Sequence, residues 1–473
     1  MQHLADDHPP LCEEPPAARH GRVSRAGAQT LESVTPPSAI RALASRFRGQ
    51  TSTTIGTNLA IMVVGLLSGV TAAHLLGPTG NGELNAIRLW PGTIAFIGSG
   101  GLFEALCYFT GRHRERSGQV YTTVLVLLAP LAVIVVISGY FAMPWLLHAE
   151  PAWVIARAQV FMLYVPVYFA VFAGYSVLRG LGNINSWNVL RFVLAAGYTA
   201  IVVASILAPT NRVTFIVYVY LGFVALNALG AVWVFRNKVR GSRAFDRSLV
   251  SPLLRYGGLS VTGTTPQLLN LSLDQLAMAA FLPARQLGLY AAAVAWSSGI
   301  GPLASAFSYL ILPRLAATSE ADKAGAQLAR TSRLATLVVV VTGALSLIVT
   351  PLAIFILFGR AFLPAVPAAF VLVTAALALN MKSFLAEGLR GLGKPGLAAV
   401  SEIVGLVVTV PCLIVLLPRW GIMGAAVASL LSYCAGLLTA VWLLKIRARV
   451  GPRELFAPRL AEIRQLSGRL RSA

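Results

Sequence analysis

The chain predicts an all-α integral membrane protein of twelve transmembrane helices, arranged as two pseudo-symmetric six-helix lobes. Three observations carry that prediction. Of the 473 residues, 56% are hydrophobic and only 12% charged, with a mean hydropathy of +0.73. Soluble domains carry about 25% charged residues, so most of this apolar surface has lipid as its solvent. Second, apolar windows of about 20 residues, the length that crosses a bilayer as a helix, recur twelve times. Third, the chain repeats itself. Arg179-Gly180-Leu181-Gly182 returns as Arg390-Gly391-Leu392-Gly393, each between two apolar stretches. At a slightly different offset Gly82 pairs with Gly288 and Trp90 with Trp296, each pair just past an apolar run ending in Leu76 or Leu282. Parallel halves of this kind point to a transporter.

The elements follow in order. Residues 1–49 contain Pro9-Pro10, Pro15-Pro16 and Pro36-Pro37 among charged residues, and read as a disordered tail with no apolar core of a cleavable signal. Targeting then falls to the first span. The first lobe (50–235) has spans near 54–75, 86–110, 119–143, 155–178, 187–207 and 213–235. A basic linker, 236–255, joins the halves. The second lobe (256–444) has spans near 256–282, 288–312, 333–357, 365–389, 397–417 and 422–444. Hydrocarbon leaves no water for backbone groups, so each span must be helical. Pro91, Pro166, Pro302 and Pro411 are the candidate kinks. The tail 445–473 is basic, and Phe456, Leu460, Ile463 and Leu470 fall close to one face of a helix that either lies on anionic headgroups or is simply solvated.

Charge orients the bundle. With both termini cytoplasmic, the inner segments hold 32 of the 38 Lys and Arg, and the outer loops hold Arg88, Arg157, Arg212, Arg285, Arg360 and Arg419. The net charge of +21 is mostly this topology signal. Without a basic patch interleaved with exposed aromatics it does not indicate nucleic-acid binding. Cys12, Cys107, Cys412 and Cys434 are isolated and suggest neither disulfide nor metal site. The bias of 33 Arg to 5 Lys suits a GC-rich bacterial genome.

Two soluble-enzyme motifs are accidental. Gly391-x-Gly393-x-x-Gly396 imitates a dinucleotide fingerprint, and Gly388-x4-Gly393-Lys394 imitates a P-loop that ends in Pro395. Neither follows a strand, and both need a strand–turn–helix to aim N–H groups at phosphate.

Ionisable residues at membrane depth say more, because each costs about 2.5–3.5 kcal/mol at a helix centre on insertion scales. Asp274 is the deepest, about 12 Å from the outer end of span 7, in a polar run with Asn270, Ser272 and Gln275. It is either a Na+ or H+ site that couples to lobe movement, with Asn270 beside it, or an interhelical hydrogen-bond anchor. Glu104 lies about 9 Å inside span 2. Arg191 and Glu402 lie near the inner starts of spans 5 and 11, at pseudo-equivalent positions. Three arrangements are open: Arg191 with Glu402 as a cross-lobe gate, Arg191 with Glu104 inside the first lobe, or snorkelling to the interface.

Several segments resemble the polysaccharide, Wzx-type branch of the MOP flippase superfamily, which also holds the MATE exporters and the lipid II flippases. They are Leu75-Leu76-Gly77-Pro78-Thr79-Gly80-Asn81-Gly82, then Leu273-Asp274-Gln275-Leu276 before Gly288-Leu289-Tyr290, then Gly391-Leu392-Gly393-Lys394-Pro395-Gly396. Ser401-Glu402, Pro418, Gly421-Ile422 and Gly424-Ala425-Ala426 complete the set. The resemblance covers roughly residues 50–445. It implies two lobes around a central cavity open alternately to either side, no enzymatic activity, and movement of a lipid-linked oligosaccharide across the bacterial plasma membrane for surface polysaccharide assembly. Membrane lipids are then partners, and polymerases and other assembly proteins are expected ones.

On that reading Arg88, Arg191 and Arg255, at or just within the ends of spans 2, 5 and 7, are the headgroup candidates. Guanidinium binds phosphate oxygens bidentately and stays charged in a partly dry cavity. Helix-end anchoring is the competing reading for Arg88 and Arg255. Trp90, Tyr164, Tyr168, Tyr175 and Trp296 suit either sugar stacking or interfacial belts. The alternative cargo is a drug, in a MATE-like cation-coupled exporter. Such exporters commonly use an acid in the first span, and residues 54–75 contain none. A membrane polymerase or ligase would want a large outer loop, and the longest here is about 143–155.

Overall fold

The structure is a computed structural model that describes residues 38–208, 211–301, 311, 315 and 321–457. The N-terminal tail up to 37, most of span 8 beyond 301 and the tail from 458, with its expected amphipathic face, lie outside the described residues. Residues 38–49 form one unit, helical where described, and residues 50–473 form another compact unit.

Among the described residues none is in a strand. The first lobe comprises α1 (52–76), α2 (78–98), α3 (Leu102–Arg112), α4 (Ser117–Leu146), α5 (Ala152–Phe161), α6 (Tyr164–Gly180), α7 (Ile184–Ala204) and α8 (Arg212–Phe235). The second comprises α9 (Val250–Phe281), α10 (Ala284–Ser297), α11 (Ala321–Phe358), α12 (Val366–Gly391), α13 (Pro395–Trp420) and α14 (Ile422–Ala448), with a short α15 (Pro452–Phe456) after it. Nine helical stretches among the described residues are long and apolar enough to cross a membrane, and the first, Ser52–Gly98, is two spans joined at Gly77. With α9, the described residues hold eleven spans, and α10 stands where the twelfth is expected to begin, the rest of it lying outside the described residues.

Boundaries depart from expectation where a turn is tighter than any loop signal. Span 2 begins at 78, not 86, because Gly77 at φ 66°, ψ −177° breaks the first helix and Pro78 starts the next one at once. A proline costs nothing there, since a first-turn N–H has no partner to lose. Span 2 is then broken at Gly100 and Gly101, both left-handed with φ 57° and 70°. Span 9 starts at Ala321 rather than 333, and the linker's last residues, 250–255, already belong to α9. Of the expected kinks, Pro166 follows the break between α5 and α6, whereas Pro91 and Pro411 sit inside unbroken helices. Pro302 lies outside the described residues.

The sequence repeat is a geometric one. Both Arg-Gly-Leu-Gly segments end a helix in the same Schellman cap. Gly182 and Gly393 adopt φ 75° and 74°. Asn183 N donates to Leu178 O at 2.8 Å, and Lys394 N to Leu389 O at 2.9 Å. By alternation of the spans both caps lie at the end of the bundle that carries the interlobe linker, here the linker end; the Gly77 turn lies at the far end.

The lobes meet through glycines. At the far end a Cβ on Gly82 would stand 1.7 Å from Ala284 O, and one on Gly288 would stand 1.8 Å from Pro78 O. These are reciprocal contacts at one offset, as a pseudo-twofold axis demands, and Asn81 Nδ2 adds a 3.4 Å bond to Gly288 O. Towards the linker end Gly101, just before α3, faces Gly257 O of α9, and Gly257 faces Gly100 O, so the break in span 2 and α9 also touch backbone to backbone. Small residues serve here as they do in membrane helix pairs generally, by letting backbones approach. The linker is fastened to the first lobe: Gly118 N donates to Arg240 O (2.8 Å), Arg240 pairs with Glu115 (2.7 Å), and Asp246 pairs with Arg116 (2.5 Å). The Ser248 hydroxyl and backbone N–H, and then Arg116, hold the Asp246 carboxyl below the usual carboxylate range.

A methyl group at Gly82 or Gly288 must part the α2 and α10 backbones by about 1 Å or more, since packed side chains at native density leave no slack. In a background with Cys12, Cys107, Cys412 and Cys434 changed to serine, Asn81→Cys should react several-fold faster with a maleimide when Gly288→Ala is added. Equal rates would mean that the contact does not close the far end in the membrane.

Candidate functional site

A cavity of about 470 Å³ opens inside the first lobe, walled by α1, α2, α3, α6, α7 and α8. Three arginines and one acid line it: Arg88, Arg179, Arg191 and Glu104, with Trp187, Tyr175, Tyr198 and Tyr220 among the remaining walls. The side chains converge because each is on the inward stripe of its helix. Arg191 stacks over the Trp187 ring at 4.4 Å, four residues back on α7 and so on the same face. Arg88 of α2 lies over two rings at once, Tyr198 at 4.1 Å and Tyr220 at 4.9 Å. Arg179, in the last turn of α6, donates from Nε to Cys107 Sγ at 3.2 Å. Ring faces carry partial negative charge, so they hold a guanidinium in place without neutralising it. The lining brings three guanidiniums, one carboxylate and flat aromatic surfaces together.

Arg88 also borders a second cavity of about 320 Å³, lined by Asn85, Tyr164, Tyr168, Tyr220 and, from the other lobe, Leu268. Tyr220 and Phe96 likewise border both. Arg88 with its tyrosines is thus the partition between a chamber inside the first lobe and a space between the lobes.

Of the expected headgroup residues the structure brings Arg88 and Arg191 together and leaves Arg255 out. Arg255 is exposed near the start of α9 and lines neither cavity. Arg179 takes the third place. In the sequence it reads only as a topology charge after span 4, because its position in the last helical turn looks the same whether it faces cytoplasm or cavity.

The second lobe arranges its charges differently. Glu402 does not reach across to Arg191: its Oε2 accepts from Lys382 Nζ at 2.7 Å and from Asn270 Nδ2 at 3.3 Å. Lys382 and Glu402 are 1% and 2% exposed, so the pair is fully desolvated. Glu104, the other partner considered for Arg191, lines the same cavity as Arg191. Lys382 lies inside the apolar window 365–389 and nine residues before the end of α12, about 13 Å along the axis. Around the pair Ser432 donates to Asn270 Oδ1 at 2.7 Å, Thr409 lies 3.2 Å from the same oxygen, and Tyr433 donates to Asn270 O at 3.3 Å. The network pins α9, α12, α13 and α14 together.

Asp274 lies one turn further along α9 and has its own partners. Tyr290 and Ser429 donate to Oδ2 at 2.5 and 2.8 Å, and Gln275 N donates to Oδ1 at 2.7 Å. Asp274 and Asn270 are thus neighbours on one helix serving separate networks. Three donors satisfy the carboxylate and tie α9 to α10 and α14. Among the described residues no three or more His, Cys, Asp or Glu cluster as a metal site would need.

The contrast between the two networks can be tested by mutation. Lys382→Met leaves Glu402 buried and uncompensated, at a cost of about 3–5 kcal/mol, and should abolish accumulation of folded protein. Adding Glu402→Gln should restore it, as a double-mutant cycle on thermal stability would read. Asp274→Asn keeps the volume and loses the charge. If Asp274 couples an ion, transport fails while abundance in the membrane is kept; if it is an anchor, abundance falls with transport.

A sequence profile of the polysaccharide biosynthesis protein family matches residues 48–319. No curated relative matches the chain by sequence. Among solved structures, the lipid II flippase MurJ in an inward closed conformation superposes with a TM-score of 0.71 at 11% identity, over 87% of this chain and 95% of that one. An inward-facing multidrug resistance MATE family transporter of the MOP superfamily gives 0.68 at 13% identity, over 82% and 94%. The MATE multidrug transporter DinF-BH, solved as a complex, gives 0.56 at 15% identity, over 91% and 100%. At these identities the likeness is one of fold, and the fold is the twelve-helix one of that superfamily. With the profile spanning more than half of its length, the chain belongs to the polysaccharide biosynthesis protein family.

Proposed function

We propose that the protein is a flippase that moves a polyprenyl-diphosphate-linked oligosaccharide across the bacterial plasma membrane, by alternating access and without enzymatic chemistry. Both termini are cytoplasmic, and the linker end faces the cytoplasm. The observation that carries this reading is the first-lobe cavity, with three guanidiniums to one carboxylate and aromatic walls between them. A diphosphate is a compact polyanion that a guanidinium fork grips bidentately, and the tyrosine and tryptophan faces suit the sugars that follow it. The polyprenyl tail stays in lipid. Family membership supports the pathway, and the cavity's charge supports the cargo.

A cationic drug as cargo fits the cavity poorly, since net positive charge in a low-dielectric chamber repels it. The absence of any acid in residues 54–75 argues the same way.

Translocation of a lipid-linked oligosaccharide in reconstituted vesicles tests the reading. Arg191→Ala removes one or two charge-assisted bonds worth about 1.5–3 kcal/mol each, so the apparent affinity should fall by one to two orders of magnitude or more. Arg191→Lys should keep part of the activity. Arg255→Ala, outside both cavities, should keep nearly all. Wild-type translocation in Arg191→Ala and Arg88→Ala together would remove the cavity from the account.

A further inference from the structure

Glu150 belongs to none of the networks described so far. It lies in the short turn 147–151 between α4 and α5, at the far end of the first lobe, where its backbone N–H donates to Leu147 O at 2.9 Å. The residue is 6% exposed, and among the described residues neither carboxylate oxygen has a hydrogen-bond partner. Buried polar groups are otherwise almost always paired, so this one stands ready for a ligand.

The charged group that acts on Glu150 is another acid, the half-buried Glu83 of α2. Three basic groups of the first lobe at this end have other contacts, although the Arg157 Nε is itself buried without a hydrogen-bond partner among the described residues. Arg157 stacks over Tyr218 at 5.4 Å and donates to its hydroxyl at 2.8 Å, Arg212 donates to Leu75 O at 2.9 Å, and the His148 Nδ1 lies 3.0 Å from Trp145 O. Burial first, and the Glu83 charge second, push the Glu150 carboxyl up to about 7. Among the described residues no three His, Cys, Asp or Glu gather here as a metal site would need. A proton needs one.

We propose that Glu150, with Glu83 as its charged neighbour, is a proton-binding site at the far end of the first lobe. The proton converts an unpaired buried anion into a neutral acid and relieves its repulsion with Glu83. Uptake and release take place at the carboxyl oxygens, and no other group need change. This site is independent of the cargo and of the cavity arginines, so it stands or falls separately from the flippase reading.

Infrared difference spectra of the full-length purified protein, titrated from about pH 5 to about pH 9, test it through the carboxylic-acid C=O stretch. The wild type should show a carboxyl titrating near neutral pH; Glu150→Gln should lose that signal, and Glu83→Gln should keep it with its midpoint moved to lower pH. Thermal stability gives a second readout. The folded-state value lies above the ordinary carboxyl value of about 4.3. The proton's stabilisation is therefore complete below that pH and is lost as pH rises through about 7. The melting temperature should fall over that window in the wild type, and Glu150→Gln should lack this component. An unchanged neutral-pH signal in Glu150→Gln, a wild type with no carboxyl titrating there, or a midpoint unmoved in Glu83→Gln would overturn the proposal. So would a midpoint that falls when sodium replaces a bulky organic cation, because a metal ion would then be the ligand.

Discussion

Hydrocarbon offers no hydrogen-bond partner, and that constraint sorts every polar atom in this protein. A group at membrane depth must be satisfied by the protein, by a wet cavity or by a ligand. The two lobes share one repeat and answer the constraint differently. The second lobe pairs its charges internally: Lys382 with Glu402, Asn270 with Ser432, and Asp274 with Tyr290 and Ser429. The first lobe turns three arginines towards a cavity walled by aromatic rings. Rings orient a guanidinium without neutralising its charge.

This asymmetry makes physical sense of an alternating-access machine. On the proposed reading, the lobe knitted through four helices moves as a body, and the lobe with the open charged chamber receives the cargo. Contact between them depends on glycine, where the reciprocal approach of Gly82 to Ala284 and Gly288 to Pro78 brings backbones together without interlocking side chains. Such a surface can separate and re-form with little repacking. The linker, held to α4 by Gly118 and Arg240, carries movement of the first lobe's linker end directly into the start of α9.

Much of this is legible in the amino-acid order. Repeats and hydropathy place the spans, since a bilayer demands about 20 apolar residues whatever their packing. Arg-Gly-Leu-Gly marks two identical caps, because only glycine accepts φ near 75° at no cost. Facing is not legible. These helices are apolar almost all round, so periodicity does not say which side meets the cavity, and Arg255 groups with Arg88 and Arg191 on its position along the span alone. Arg179 is hidden for the same reason, as a charge close enough to a helix end to pass for a loop residue, whereas Lys382 lies seven residues inside the apolar window 365–389 and its membrane depth is legible there. Glu402, one candidate for a cross-lobe gate with Arg191, pairs instead with Lys382 of its own lobe, since two positions equivalent in the repeat need not face each other across it. Glu150 gives no signal in sequence, because an acid in a turn is ordinarily solvated.

The central claim is that the diphosphate end of the cargo is held in the first lobe and not in the paired-up second. A polyprenyl diphosphate with a photoreactive group on its headgroup, cross-linked to the protein in membranes and mapped by peptide mass spectrometry, tests that claim most directly. Adducts should fall between residues 88 and 104 and between 175 and 198, where the arginines and their rings stand. Adducts confined to α12, α13 and α14, around Lys382 and Glu402, would contradict it.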